Sequence, residues 1–127
     1  MQQWNVRIKR HGNIASLACV RFGEHQFLGQ LKVAASGWNR LLGWGCRGSA
    51  LGIWLTPCRS IHTFSMKEAI DLLWLNKQQR VVHVETNVKP GSWRYRADAQ
   101  SVVELPAGFL AKHGLIPKQG LTEAVLQ

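Results

Sequence analysis

Ile70-Asp71-Leu72-Leu73-Trp74-Leu75-Asn76-Lys77-Gln78-Gln79-Arg80-Val81-Val82-His83-Val84-Glu85-Thr86 is the stretch whose reading decides the fold. Its first six residues are almost continuously apolar, the pattern of a strand covered on both faces. Asn76 to Gln79 is a polar turn. Beyond it Val82 and Val84 alternate with His83 and Glu85, the period-two signature of a half-buried strand. Strand, short turn and second strand form the elementary unit of an antiparallel sheet.

Extended runs recur on both sides. Ile14 to Phe22 and Phe27 to Ala34 read as a hairpin joined by Gly23-Glu24-His25-Gln26, Gly52 to Thr56 as a brief strand stopped by Pro57, and Ser101 to Leu105 as another. Two short helices are expected. Ser36 caps one whose Trp38, Leu41, Leu42 and Trp44 share a face, with Gly45 as its stop; Pro106 opens the other, from Ala107 to His113, which Gly114 closes. Lys89-Pro90-Gly91-Ser92-Trp93 is a loop. About seven short strands without long helices between them predict an α+β, mostly β domain, built as a small antiparallel barrel or sandwich.

The chain has 127 residues, of which 46% are hydrophobic, and shows no repeat, low-complexity run or linker, so residues 1–127 are expected to form a single domain. No apolar stretch approaches the roughly 20 residues that cross a bilayer. Ile14 to Val20 is preceded by basic residues, but Ser16 interrupts the patch and Arg21 ends it, so it reads as a strand and the expected location is the cytoplasm. Cys19, Cys46 and Cys58 form no C-x-x-C pair and are expected to be reduced. Sixteen Lys and Arg against seven Asp and Glu give a net charge of +9, which favours nucleic acid, anionic lipid headgroups or acidic partners without naming one. The cations are dispersed along the chain and suit a solvated surface as well as a groove.

Chemistry-bearing residues concentrate between Pro57 and Asp71. Cys58, Ser60 and His62 face one side of an extended chain, and Asp71 opens the next strand. Cys58 as nucleophile, His62 as base and Asp71 as orienting group make one reading, a cysteine-dependent hydrolase or acyl-transfer enzyme. No catalytic role is assigned, because no glycine-rich turn follows Cys58 to supply oxyanion donors. A C-x-x-x-H pair, with or without Met66, lacks a second ligand pair, so neither a metal nor a cofactor is expected. The preferred reading is a small binding or accessory module whose pocket for a small molecule or protein is lined by Cys58, Ser60, His62, Thr63, Met66, Asp71 and Trp93, with Phe64 and Trp54 adding apolar surface. Trp93-Arg94-Tyr95-Arg96 alternates aromatic and basic residues, which makes nucleic-acid binding through Arg94, Tyr95 and Arg96 a further alternative. Glu104 is expected to sit near the start of the second helix and complement its dipole.

Ala35 through Gly43, then Pro57-Cys58-Arg59-Ser60-Ile61-His62-Thr63-Phe64-Ser65-Met66 through Asp71, followed by Leu73 to Asn76, Pro90 to Trp93 and Val102-Val103-Glu104-Leu105-Pro106-Ala107-Gly108, together resemble the uncharacterised family called domain of unknown function 192, over roughly residues 34–121. The resemblance implies a small β-rich fold with one or two helices and no known activity. Ala69 stands where the family usually has proline, and Gln119-Gly120 where it usually has Gly-Asp.

Overall fold

The computed structural model describes residues 5–34, 44, 47–64 and 66–115. These form nine strands and one short helix: β1 (Asn5–His11), β2 (Ile14–Arg21), β3 (Glu24–Ala34), β4 (Gly52–Leu55), β5 (Ser60–His62), β6 (Ile70–Leu75), β7 (Val81–Val88), β8 (Trp93–Tyr95), β9 (Ser101–Pro106) and α1 (Phe109–Lys112). Seven strands make one sheet in the order β1-β2-β3-β4-β9-β6-β7, while β5 and β8 pair separately as a two-stranded ribbon. The expected mostly β class holds. The sheet is open and sandwich-like, and mainly antiparallel as expected, with the β3–β4 pairing parallel, which makes it mixed.

β6 is buried from end to end because the chain covers both of its faces. Leu73 and Leu75 join Val103 and Leu105 of β9, Trp54 of β4 and the inward residues of β1 to β3 in one core. Ile70, Leu72 and Trp74 join Ile53, Leu55, Val102, Cys58 and Ile61 in a second core on the opposite face. The β5–β8 ribbon lies over this second core, anchored by Ile61. At Gly52 the chains of β4 and β9 come so close that a Cβ would meet the Glu104 carbonyl oxygen, so only glycine fits there.

Several local expectations change. β1 was not foreseen. Its Val6 and Ile8 are buried while Arg7 and Lys9 point to solvent, and two apolar residues among four basic or imidazole side chains are a thin signal. The β2–β3 connection is a two-residue turn, Phe22-Gly23, and not the four-residue loop read from Gly23 to Gln26; both residues take positive φ, 49° and 80°. Pro106 ends β9 opposite Ile70 and does not start the second helix. That helix is only Phe109–Lys112, entered through Gly108 in the left-handed conformation at φ 88°. The helix expected from Ser36 through Trp44 falls largely outside the described residues. Among the described residues no helix is long and apolar enough to cross a membrane.

Candidate functional site

The ribbon pairs Ser60 with Tyr95, Ile61 with Arg94 and His62 with Trp93. Directly opposed residues share a face, so Ser60, His62, Trp93 and Tyr95 form one side while Ile61 and Arg94 form the other. Ile61 is buried in the second core. Arg94 pairs with Glu85 at 2.8 Å, and the other oxygen of Glu85 accepts the indole N–H of Trp74 at 3.1 Å, which ties the ribbon to the buried sheet. The outward side is left to solvent. Trp93 is 62% exposed, Tyr95 56% and Phe64 63%, and the Phe64 ring stacks on His62 at 4.9 Å. Neighbouring aromatic rings thus form an exposed platform on a ribbon held rigidly from beneath.

Thr63 sets the end of the platform. It is fully buried; its hydroxyl donates to the Lys89 carbonyl at 2.8 Å and accepts the Ser92 N–H at 2.9 Å. Its backbone N–H donates to Ser92, and its carbonyl accepts the N–H groups of Met66 and Gly91. One side chain therefore closes the 89–92 turn against β5. Thr63→Val should leave the Ser92 N–H without its acceptor and cost about 1–3 kcal/mol, read as a lower urea midpoint with an unchanged slope.

Cys58, His62 and Asp71 do not share hydrogen bonds. Cys58 is buried and its thiol donates to the Ser60 carbonyl at 3.0 Å, whereas Ser60 and His62 are exposed. The single facing expected for 58, 60 and 62 fails because the strand begins only at Ser60. Asp71 is fully buried on β6, with its two oxygens accepting the backbone N–H groups of Asn87 at 3.0 Å and Leu110 at 3.1 Å. A cysteine nucleophile needs a base on its sulfur, and the Cys58 thiol hydrogen is directed to a carbonyl instead. Met66 packs against the second core. Among the described residues no three His, Cys, Asp or Glu side chains cluster as metal ligands.

Beside the ribbon, Pro57, Cys58, Arg59 and Gln100 line an open cleft of about 320 Å³. The Arg59 Nε–H donates to the Ala99 carbonyl at 2.9 Å. Arg96 forms a two-bond pair with Asp98, and that hydrogen bonding holds the Asp98 carboxyl below its usual range.

Glu104 is not at a helix end. It lies within β9, opposite Ile53 and Leu72, 4% exposed, and its Oε1 has no hydrogen-bond partner among the described residues. Desolvation raises its pKa to about 7. The carboxylate that meets the start of α1 is Asp71, which was read as a catalytic or ligand residue. Only the pairing of β9 between β4 and β6 reveals this exchange of places, since both acids sit in apolar strands next to a bend.

The family model of domain of unknown function 192, described as Uncharacterized ACR, matches residues 20–122. No curated protein matches the chain. Two solved structures share the fold. One is a protein of unknown function from Novosphingobium aromaticivorans DSM 12444, with TM-score 0.67 and 15% identity over 87% of this chain and 89% of that one. The other is a proposed transcription regulator from Sinorhizobium meliloti 1021, with TM-score 0.65 and 18% identity over 90% of this chain and 88% of that one. With more than half its length matched by the family model, on a fold those structures share, the chain belongs to the uncharacterised family called domain of unknown function 192.

Proposed function

We propose that the protein is a binding module and that the outward side of the β5–β8 ribbon is its ligand surface. The observation that carries this reading is the platform itself. Trp93 and Tyr95 on β8, and Phe64 just beyond β5 and stacked on His62, are each more than half exposed, on or next to a ribbon whose other side is fixed by Ile61, Arg94 and Thr63. Large aromatic rings left in water at one place lower the solubility of a fold and are kept where a ligand covers them. Tyr and Trp suit such a surface because they offer broad apolar area at small cost in side-chain freedom.

Of the residues expected to bind ligand, Ser60, His62 and Trp93 contribute to this face, and Cys58 belongs to the adjoining cleft. Thr63, Met66 and Asp71 support the scaffold beneath it. The ligand this surface suits carries flat rings or broad apolar faces. Hydroxyl and imidazole groups of Ser60, Tyr95 and His62 are available to orient it.

Trp93 provides its own reporter. Ligand panels are screened by the fluorescence difference between the wild type and Trp93→Phe. A ligand of the face quenches the wild type, and Trp93→Ala weakens its binding by roughly tenfold or more, the size of a hot-spot loss. Undiminished binding to Trp93→Ala, with the variant still folded, would count decisively against the platform as the ligand surface.

A further inference from the structure

The geometry points to single-stranded nucleic acid as the ligand of the ribbon face, an assignment that rests on that face being the ligand surface. Trp93 and Tyr95 are two residues apart on one strand, so their rings are spaced at roughly 7 Å along it. His62 lies beside Trp93 across the ribbon and carries the Phe64 ring stacked upon it. A row of rings at this spacing accepts successive unstacked bases of a stretched strand, whatever their identity, because every base has a π-face. A paired duplex hides those faces inside its stack and offers the platform nothing.

Charge is placed to match. Among the described residues, the outward positions of the ribbon, Ser60, His62, Trp93 and Tyr95, include no carboxylate, while cations stand at both of its ends. At the Phe64 end are the exposed Lys67 and Lys89, the latter on the turn that Thr63 holds. At the Tyr95 end is the exposed Arg59, whose carbonyl accepts the Arg96 N–H, while the Arg96 guanidinium is itself paired with Asp98. Of the nearby acids, Glu85 and Asp98 are occupied by Arg94 and Arg96, and Glu68 is exposed beside Lys67. A strand whose bases lie on the rings therefore passes its phosphates over basic residues at either end, within the field of a chain of net charge +9. A neutral glycan would use the rings but not the charge.

The experiment titrates a fluorescently labelled oligothymidylate against the whole chain at low and moderate salt. Binding is expected at low salt, with quenching of Trp93 seen as the difference from Trp93→Phe. It should weaken about tenfold for each of Trp93→Ala and Tyr95→Ala, and the Lys67→Gln, Lys89→Gln double variant should show a shallower salt dependence. These four positions are exposed, so the variants should melt with the wild type. Equal affinity for duplex, binding unchanged in the aromatic variants, or no binding at low salt would each overturn the assignment. A neutral oligosaccharide and an acidic peptide run in the same Trp93 assay separate the two readings. If one of them quenches and the oligonucleotide does not, the nucleic-acid assignment falls and the ligand surface stands. If none does, both fall.

Discussion

Asp71→Ala is expected to destabilise the protein by roughly 2–6 kcal/mol, the cost of leaving two buried backbone donors unmet. One oxygen of Asp71 holds the Asn87 N–H and the other the Leu110 N–H, and the side chain is wholly out of water. The first bond repairs a flaw in the sheet. Between the pairs Ile70–Val88 and Leu72–Glu85 the β7 strand carries one residue more than β6, and Asn87 turns left-handed at φ 54°. Such a bulge removes a ladder acceptor, and the carboxylate takes its place. The second bond satisfies an N–H in the first turn of α1, where helices have donors without intrahelical partners. Against a total stability of about 5–15 kcal/mol this loss is large. Asp71→Asn keeps one acceptor and should lose about half as much, consistent with roughly 1–3 kcal/mol per unmet donor. Urea denaturation reads the totals. Amide exchange at Asn87 of β7 and Leu110 of α1 reads the mechanism, because both should lose protection in Asp71→Ala before the amides of β6 do.

Glu104→Gln is expected to do the opposite, and only above acidic pH. Glu104 ionises near 4.5 when unfolded and at about 7 when buried in the fold, desolvation being the cause. Between those values the unfolded chain has released a proton that the folded chain still holds, so stability falls as pH rises from about 4.5 to about 7 and then levels off. At roughly 1.4 kcal/mol per pKa unit the full loss is about 3 kcal/mol. Glutamine cannot ionise. The variant should therefore match the wild type near pH 4 and exceed it by about 3 kcal/mol at pH 8, measured as urea midpoints across the range. A gain of the same size at both pH values would mean that Glu104 is not the group that titrates.

The strands were legible wherever burial left a periodic trace. β6 reads as continuous apolar sequence because both its faces are covered, whereas the alternation in β7 locates a strand but not its facing, since the register shift at Trp74/Leu75 packs Val82 against the second core and Val84 against the first. β1 escaped because its inward positions are only Val6 and Ile8 between charged neighbours. The β2–β3 turn escaped because a phenylalanine at positive φ is rare, so Phe22 read as the end of a strand. The parallel pairing of β3 with β4 has no local signature at all.

The candidate site divides in the same way. The residue types that make up the ribbon face were visible as two separate segments, one around Ser60 and His62 and one around Trp93 and Tyr95. Nothing in either segment says that they are partners. The registers Ser60–Tyr95 and His62–Trp93 unite them, and the burial of Ile61 decides which side is presented to solvent. Likewise Asp71 meets Leu110 across 39 positions of sequence.

The sequence by itself determined a mostly β domain, the strands with clear periodicity, the basic charge and the family, because these depend on local propensity, burial pattern and composition. Only the tertiary structure decided that Asp71 is a scaffold acceptor, that Glu104 is a buried acid with no partner for one oxygen among the described residues, and that the Cys58 thiol serves its own loop. These outcomes depend on which distant backbone groups are brought within hydrogen-bonding distance and which side chains are cut off from water, and long-range strand pairing fixes both.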